Sequence, residues 1–435
     1  MRSTSTLRRR LLARDARVAV VGQGYVGLSL ACAAAEAGFE VTGIDVDAAR
    51  VDALAAGRLV VPGVDDGTFQ AGVATGRLRF RADGDALATS DVICICVPTP
   101  VRDHTPDLSY VEQACRDVAG HLTRGRLVIL ESSTYPGTTG DLVAPLLEAS
   151  GQRVGRDFLL AYSPERIDPG NAEFTFANTP RIVGGITAEA TAVAALFYEQ
   201  MIEKVVTVSS ARAAELAKLL ENTFRHVNIA LVNEMAMVCH ELGIDVWEVI
   251  AAAATKPFGY MAFTPGPGVG GHCIPLDPTY LAWQVRRDVG HQFRILEQAQ
   301  DVNAHMPGWV ARRIGEALNE HAKPLKGARV LVLGVAYKPD VGDVRESPSL
   351  RVMSDLARRG VKLAFHDPFV EAVTVDGRRL ARTELTARAV AGSDLVALLV
   401  PHSSYDLEWL AGTAGLLFDA RNAYGPGNPP NLVRL

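Results

Sequence analysis

Short apolar runs set the rhythm of the first half of the chain, each closed by a glycine- or proline-rich turn. Arg17 to Val21 reads as a strand. The turn Gly22-Gln23-Gly24-Tyr25-Val26-Gly27 follows, then a helical run from Leu28 to Ala37 stopped by Gly38. Phe39 to Ile44 is the next strand, ending at Asp45. Asp91 to Val97, Leu127 to Leu130 and Phe158 to Tyr162 continue the series. Continuous apolar strands alternating with helices predict a parallel sheet covered on both faces. Their loops, Pro98-Thr99-Pro100, Glu131 to Thr139 and Ser163 to Arg166, would collect at the carboxyl edge. Thr99, Ser133 and Glu165 are candidates to line a site there. Ordinary turn chemistry is the plain alternative.

From Ser209 the period changes to 3.6. Leu216, Leu219, Leu220, Val227, Leu231, Met235 and Val238 form an apolar stripe on a long helix ending at Gly243. Lys218 and Asn222 are spaced i, i+4 on one face, where both could donate to one oxygen; a solvated face is the other reading. A second helix covers Val246 to Ala254, and another long pattern runs from Arg294 to Glu320, with an interruption expected near Pro307.

After Lys323-Pro324-Leu325-Lys326-Gly327 the opening pattern returns. Arg329 to Gly334 echoes Arg17 to Gly22, Arg359 to Asp367 echoes Ala37 to Asp45, and Ser393 to Pro401 echoes Ser90 to Pro98. A second Rossmann-like unit is predicted, without the later glycines of the first. Lys338 and Arg345 in its first loop suggest a phosphate ligand other than a second dinucleotide.

Composition narrows the class. A chain of 435 residues exceeds one core, and a net charge of −5 supplies no basic field for nucleic acid. No apolar run has the length of a membrane span. Residues 1–15, rich in Ser, Thr and Arg, read as a disordered tail. Six scattered cysteines suggest a reduced, cytoplasmic protein, and no zinc-type spacing accompanies Cys94 and Cys96, so no metal site is expected.

The glycine turn stands in the setting that gives it meaning: strand, G-x-G-x-x-G, helix, strand, acid. Gly22, Gly24 and Gly27, with Tyr25 and Val26, would bring backbone to a pyrophosphate at a helix N-terminus. Asp45 would take the ribose hydroxyls and repel a 2′-phosphate, which favours NAD over NADP, with Arg50 beside it. The second candidate centre is Pro265 to Pro278, where glycines precede His272-Cys273 and Asp277-Pro278 opens a helix. Glycine there would carry bare N–H groups close to a ligand, and a helix N-terminus favours thiolate at Cys273. A buried, inert thiol is the bland alternative.

Seven ordered stretches, Gly22 to Leu28, Val97 to Pro100, Glu131 to Thr139, Tyr162 to Arg166, Lys218 to Asn222, Gly266 to Pro278 and Gly334 to Ser347, together resemble the UDP-glucose/GDP-mannose dehydrogenase family. The resemblance implies an α/β chain of two Rossmann-like doubly wound domains joined by a central all-helical dimerisation domain. Its expected bounds are 1–208 for NAD, 209–322 for the central helices and 323–435 for the UDP-sugar. It further implies a homodimer acting on a UDP-sugar, oxidising the C6 alcohol to the acid with two NAD⁺. By the same resemblance, Cys273 is the nucleophile, passing from thiohemiacetal to thioester. Lys218 and Asn222 stabilise the C6 oxygen, Asp277 orders water, and Glu165 and Ser133 assist hydrolysis. Pro98, Thr99, Ser133, Arg50 and Arg345 join the cofactor contacts, and Arg166, Gly270 and Lys338 the substrate contacts. Ser133 stands where relatives commonly carry threonine. The wording around Cys273 is similar to the UDP-N-acetylhexosamine branch, which puts UDP-N-acetylglucosamine first, before UDP-glucose and UDP-N-acetylmannosamine. A hydroxyacid-type dehydrogenase would need neither Cys273 nor the second Rossmann unit. A non-catalytic nucleotide-binding module would have lost Lys218 or Asp277, and both are present.

Overall fold

Arg17 to Val21 does form a buried strand, β1, and the chain builds outward from it. The computed structural model describes residues 2–102, 105–167, 173–271, 274–427 and 429–435. By contacts the chain falls into two compact units, residues 1–221 with 279–290, and residues 222–278 with 291–435.

The first unit begins with helix α1 (Arg2–Ala13), where the sequence suggested a disordered tail. The correction has a simple cause. Leu7 and Leu11, one turn apart, are buried in the core, while Arg10 pairs with Asp91 at 2.6 Å and Arg8 with Glu189 at 3.3 Å. After β1 comes α2 (Tyr25–Glu36), which starts three residues before the predicted Leu28 because Gly24 serves as its N-cap. The strands β2 (Glu40–Ile44), β3 (Leu78–Arg81), β4 (Val92–Ile95), β5 (Leu127–Leu130) and β6 (Leu159–Tyr162) follow. Next come β7 (Arg181–Gly185), α3 (Ala188–Tyr198) and β8 (Val205–Thr207). Sheet order is β8-β7-β6-β5-β4-β1-β2-β3. The six strands β3-β2-β1-β4-β5-β6 are parallel in the dinucleotide-binding order, and β7 adds antiparallel to β6. Side chains alternate across this sheet into two cores, Val18, Val20 and Ile129 on one face, Ala19, Ile93 and Val128 on the other.

The long predicted helix is α4 (Ala211–Leu242), followed by α5 (Val246–Ala254), α6 (Asp277–Gln284) and α7 (Arg294–Glu320). Of the predicted stripe on α4 only Leu219 is buried, while Leu216, Leu220, Leu231, Met235 and Val238 are exposed; the helix buries Ala230 and Ala236 instead. α7 runs through Pro307 without the expected interruption. Proline removes the N–H that would reach the Asn303 carbonyl, and that oxygen instead faces Gly268.

The second sheet contains β9 (Arg329–Leu333), β10 (Lys362–His366), β11 (Leu395–Leu398), β12 (Leu417–Asp419) and β13 (Leu432–Arg434). Its order is β10-β9-β11-β12-β13, all parallel, with α8 (Pro348–Arg358) after the first loop. Ala236, Trp247 and Trp309 of the central helices share a core with Val330, Phe365 and Phe418 of this sheet. The two Rossmann-like sheets also repeat a detail: Arg17 N donates to Asp91 at 2.8 Å, and Arg329 N to Asp394 at 2.8 Å.

Candidate active site

In the first unit the glycine turn is built for close approach. Gly22 has φ +92°, and a Cβ there would lie 2.7 Å from the Cys96 carbonyl oxygen. A Cβ on Gly27 would strike the Gly22 carbonyl oxygen at 1.9 Å, so the turn cannot close around any other residue. Nothing stands within 4 Å of a Cβ on Gly24, which leaves open space before Tyr25 and Val26 in the first turn of α2. Asp45, 6% exposed, accepts from Gln23 N at 2.7 Å and Asp47 N at 2.9 Å, and Arg50 Nη1 lies 2.9 Å from Oδ2. These residues fit a dinucleotide: an open cradle at a helix N-terminus and a fixed carboxylate after β2.

The second Rossmann-like unit uses its matching acid differently. Asp367 is fully buried, accepting from Val335 N at 2.8 Å, Ala336 N at 3.2 Å and His402 Nε2 at 3.0 Å. His402 Nδ1 accepts from Asp340 N at 2.9 Å, so Nε2 is the nitrogen that donates. No ribose could reach that carboxylate. Lys338 is half-buried in the same loop, and the exposed Arg345 pairs with Asp343 at 2.8 Å.

At the carboxyl edge of the first sheet the described loops meet. Ser132 Oγ donates to Val97 O at 2.7 Å, before Pro98 and Thr99, and Tyr280 donates its hydroxyl to Thr99 O. Trp283 packs on Tyr135, and Arg287 lies over Trp283 with 4.3 Å to the ring centroid. Ser133 is half-buried in its loop. Glu215, from the start of α4, takes Gly137 N at 2.6 Å and both Thr139 donors at 2.8 and 2.6 Å. Burial pushes the Glu215 carboxyl up, and those hydrogen bonds oppose it.

Glu165 is buried, accepting from Arg166 N and Ile167 N at 2.6 Å each and from Arg181 Nη1 at 2.5 Å. Arg166 turns to Glu221, at 2.7 Å, and to the Pro180 carbonyl. Arg181 also pairs with Glu131, whose carboxyl is pushed up by burial while the guanidinium pulls it down. Neither Arg181 nor Glu215 was predicted, because their partners lie 16 to 78 residues away and leave no local pattern.

On α4, Lys218 and Asn222 are both buried and one turn apart. Asn222 Nδ2 donates to Asp277 Oδ2, which opens α6 and is 2% exposed. Cys273 and His272 lie outside the described residues. The glycines before them differ from expectation in one respect. Gly268 and Gly271 do take positive φ, +130° and +86°. Their neighbours, however, are protein: Gly266 N donates to Asn233 Oδ1 at 3.0 Å and Gly271 N to Arg345 O at 3.3 Å. A Cβ on Gly270 would meet the Glu346 carbonyl oxygen at 2.8 Å, and one on Gly266 the Arg421 guanidinium at 2.4 Å. The missing side chains at these glycines make room for other parts of the same unit. Arg421, another residue not foreseen, has its guanidinium pushed down to about 10 by burial.

Among the described residues no helix is long and apolar enough to cross a membrane, and no cluster of His, Cys, Asp or Glu is arranged for a metal.

Comparison with known proteins accounts for the arrangement. Residues 16–202 match the NAD binding domain of the UDP-glucose/GDP-mannose dehydrogenase family, 212–305 its central domain and 331–426 its UDP binding domain. A UDP-N-acetyl-D-mannosamine dehydrogenase of Pyrococcus horikoshii is 36% identical over 89% of this chain and 90% of its own. An NDP-N-acetyl-D-galactosaminuronic acid dehydrogenase of Ralstonia nicotianae is 34% identical over 89% and 91%. A solved UDP-D-ManNAc dehydrogenase structure from Pyrococcus horikoshii superposes with a TM-score of 0.86 at 34% identity, covering 96% of this chain and 98% of that one. With an open dinucleotide cradle in its first unit and a match to the UDP binding domain over 331–426, the chain belongs to the UDP-glucose/GDP-mannose dehydrogenase family and is an NAD-dependent nucleotide-sugar dehydrogenase.

Proposed function

We propose that this enzyme oxidises the C6 alcohol of UDP-N-acetyl-D-mannosamine to the carboxylate, using Cys273 as a covalent nucleophile. The observation that carries the chemistry is the buried Asn222–Asp277 hydrogen bond, four residues beyond Cys273 and one turn from Lys218. The sugar follows the relatives, several of which are UDP-N-acetyl-D-mannosamine dehydrogenases. They move that epimer ahead of UDP-N-acetylglucosamine, the first choice from sequence wording.

NAD⁺ supplies the hydride acceptor in each of two oxidations. Tyr25, Val26 and Asp45 hold its pyrophosphate and ribose, with Arg50 supporting the carboxylate, and the Pro98–Thr99 and Ser133 loops face the edge where its reactive ring belongs. Lys218 and the second N–H of Asn222 donate to the C6 oxygen as charge builds on it. The Cys273 sulfur adds to the aldehyde carbon and retains the acyl group as a thioester after the second oxidation. Asp277 then orders the water whose oxygen bonds to the carbonyl carbon, and Glu165 and Ser133 assist that hydrolysis. The C–S bond breaks and sulfur recovers its proton. Lys338, Gly270 and Arg166, which pairs with Glu221, join the substrate contacts, and Arg345, paired with Asp343, the cofactor contacts.

We also propose a homodimer. Leu231, Met235, Val238 and Leu242 are 60, 40, 43 and 66% exposed along one helix, an apolar row that a second copy would cover. Five described cysteines are free thiols, in keeping with a cytoplasmic enzyme.

The test is kcat/KM for UDP-N-acetyl-D-mannosamine, UDP-N-acetylglucosamine and UDP-glucose, with NADH counted per sugar. Preference for the first with two NADH per acid is expected. Preference for another sugar sinks the substrate, and one NADH per sugar sinks the mechanism.

A further inference from the structure

We propose that Arg181 is a positioning residue for thioester hydrolysis, fixing Glu165 and the loop of Ser133 in one arrangement. The inference rests on the roles proposed above for Glu165 and Ser133.

Topology delivers Arg181 to this place. β7 runs antiparallel to β6, so its first residue lies at the edge where the parallel strands end. From there one guanidinium spans three loop residues. Nη1 donates to Glu165 Oε2 at 2.5 Å, Nη2 to Glu131, and Nε to Ser163 Oγ at 2.9 Å. Glu131 begins the loop that contains Ser133, while Ser163 and Glu165 belong to the loop after β6. The Tyr198 ring lies under the guanidinium, 4.8 Å from its centroid, and Tyr198 donates its hydroxyl to Glu131 Oε1 at 2.5 Å. Arg181, Glu131 and Glu165 are 3, 1 and 6% exposed.

Stability alone is a poor account of this cluster. Apolar residues of similar volume replace a buried ionic triad with little loss, and often with a gain. A rigid fork holding two carboxylates at set positions serves a site that needs one of them in place. Glu165 spends Oε1 on two backbone N–H groups, so Arg181 is the side chain that fixes Oε2. The step concerned is not a redox step: water's oxygen bonds to the acyl carbon, the C–S bond breaks, and sulfur takes a proton.

The experiment follows NADH release in the first turnovers of full-length enzyme on UDP-N-acetyl-D-mannosamine, with mass spectrometry of acid-quenched protein. Arg181→Lys keeps the charge but cannot bridge both carboxylates. A normal burst of NADH is expected, then a steady rate slower by about tenfold or more, with a sugar-acyl adduct accumulating on the protein. KM for NAD⁺ should stay within about twofold. Wild-type turnover, or slow turnover without adduct, overturns the proposal. If Arg181→Lys does not fold, Glu131→Gln, which loosens the other end of the fork, is judged by the same two outcomes. Glu165→Gln is run beside them. If it accumulates adduct and the Arg181 variant does not, Arg181's role falls alone. If Glu165→Gln accumulates none, the reading of Glu165 falls, and this inference with it.

Discussion

Asn222 donates a side-chain N–H to the carboxylate of Asp277, and the pair is buried. The bond joins the middle of α4 to the first residue of α6 and leaves the amide a second N–H. Asn222→Asp would set two buried carboxylates against each other. Loss of about 3 kcal/mol of stability and of turnover by about a hundredfold is expected. The swap Asn222→Asp with Asp277→Asn should recover most of the stability and little of the turnover. Chemical denaturation and kcat on the three variants check this, and a single variant as stable as wild type would refute it.

Asp45→Ala removes the carboxylate that Gln23 N and Asp47 N hold, and it releases Arg50. A charged hydrogen bond is worth about 1.5–3 kcal/mol, so KM for NAD⁺ should rise by about tenfold or more. The freed guanidinium can meet a 2′-phosphate, and use of NADP⁺ should improve. Unchanged KM values for both cofactors would take Asp45 out of the site.

His226 is buried beside the Asn303 side chain, and burial pushes its imidazole down to about 4. Between that value and the ordinary 6.5 the unfolded chain binds a proton that the folded one refuses. Stability is therefore full above the upper value and falls as pH drops toward the lower, by about 3 kcal/mol at most. His226→Gln should lose that part of the acid slope. Urea midpoints at about pH 7.5 and about pH 4.5, wild type against variant, measure it. Equal slopes would exclude His226 as the source.

Leu11→Ala opens a hole beneath α1, where the side chain is wholly buried. A loss of about 2–5 kcal/mol is expected in the unfolding of the first unit. A neutral result would mean that the helix is only lightly held in solution.

The strands, the glycine turn and the second Rossmann-like unit were legible because each writes its pattern locally. β1 is a continuous apolar run, and Gly22 to Asp45 is a short motif with fixed spacing. α1 was missed since Ser, Thr and Arg dominate it, and among its described side chains only two leucines at i, i+4 are buried. Arg181 and Glu215 were invisible for another reason. Their meaning depends on which strand ends beside which, and no nearby residue announces it. The glycines before Cys273 were seen correctly as close-approach positions, but the sequence could not say what approaches: Tyr337, Glu346 and Arg421 do. Asp367 shows the same limit, a fingerprint acid that its own loop and His402 have claimed.

Residues 279–290 belong by contact to the first unit, although the chain on either side of them belongs to the second. Tyr280, Trp283 and Gln284 are spent on Thr99, Tyr135 and Pro136. A fragment ending at Glu221 would therefore lack part of its own surface, with an aromatic ring left bare. Recombination between relatives meets the same constraint. A chimera joined once, in the long helix, inherits a segment shaped for another parent's loops. Only exchanges with matched breakpoints on both sides of residues 279–290 keep each unit's partners together.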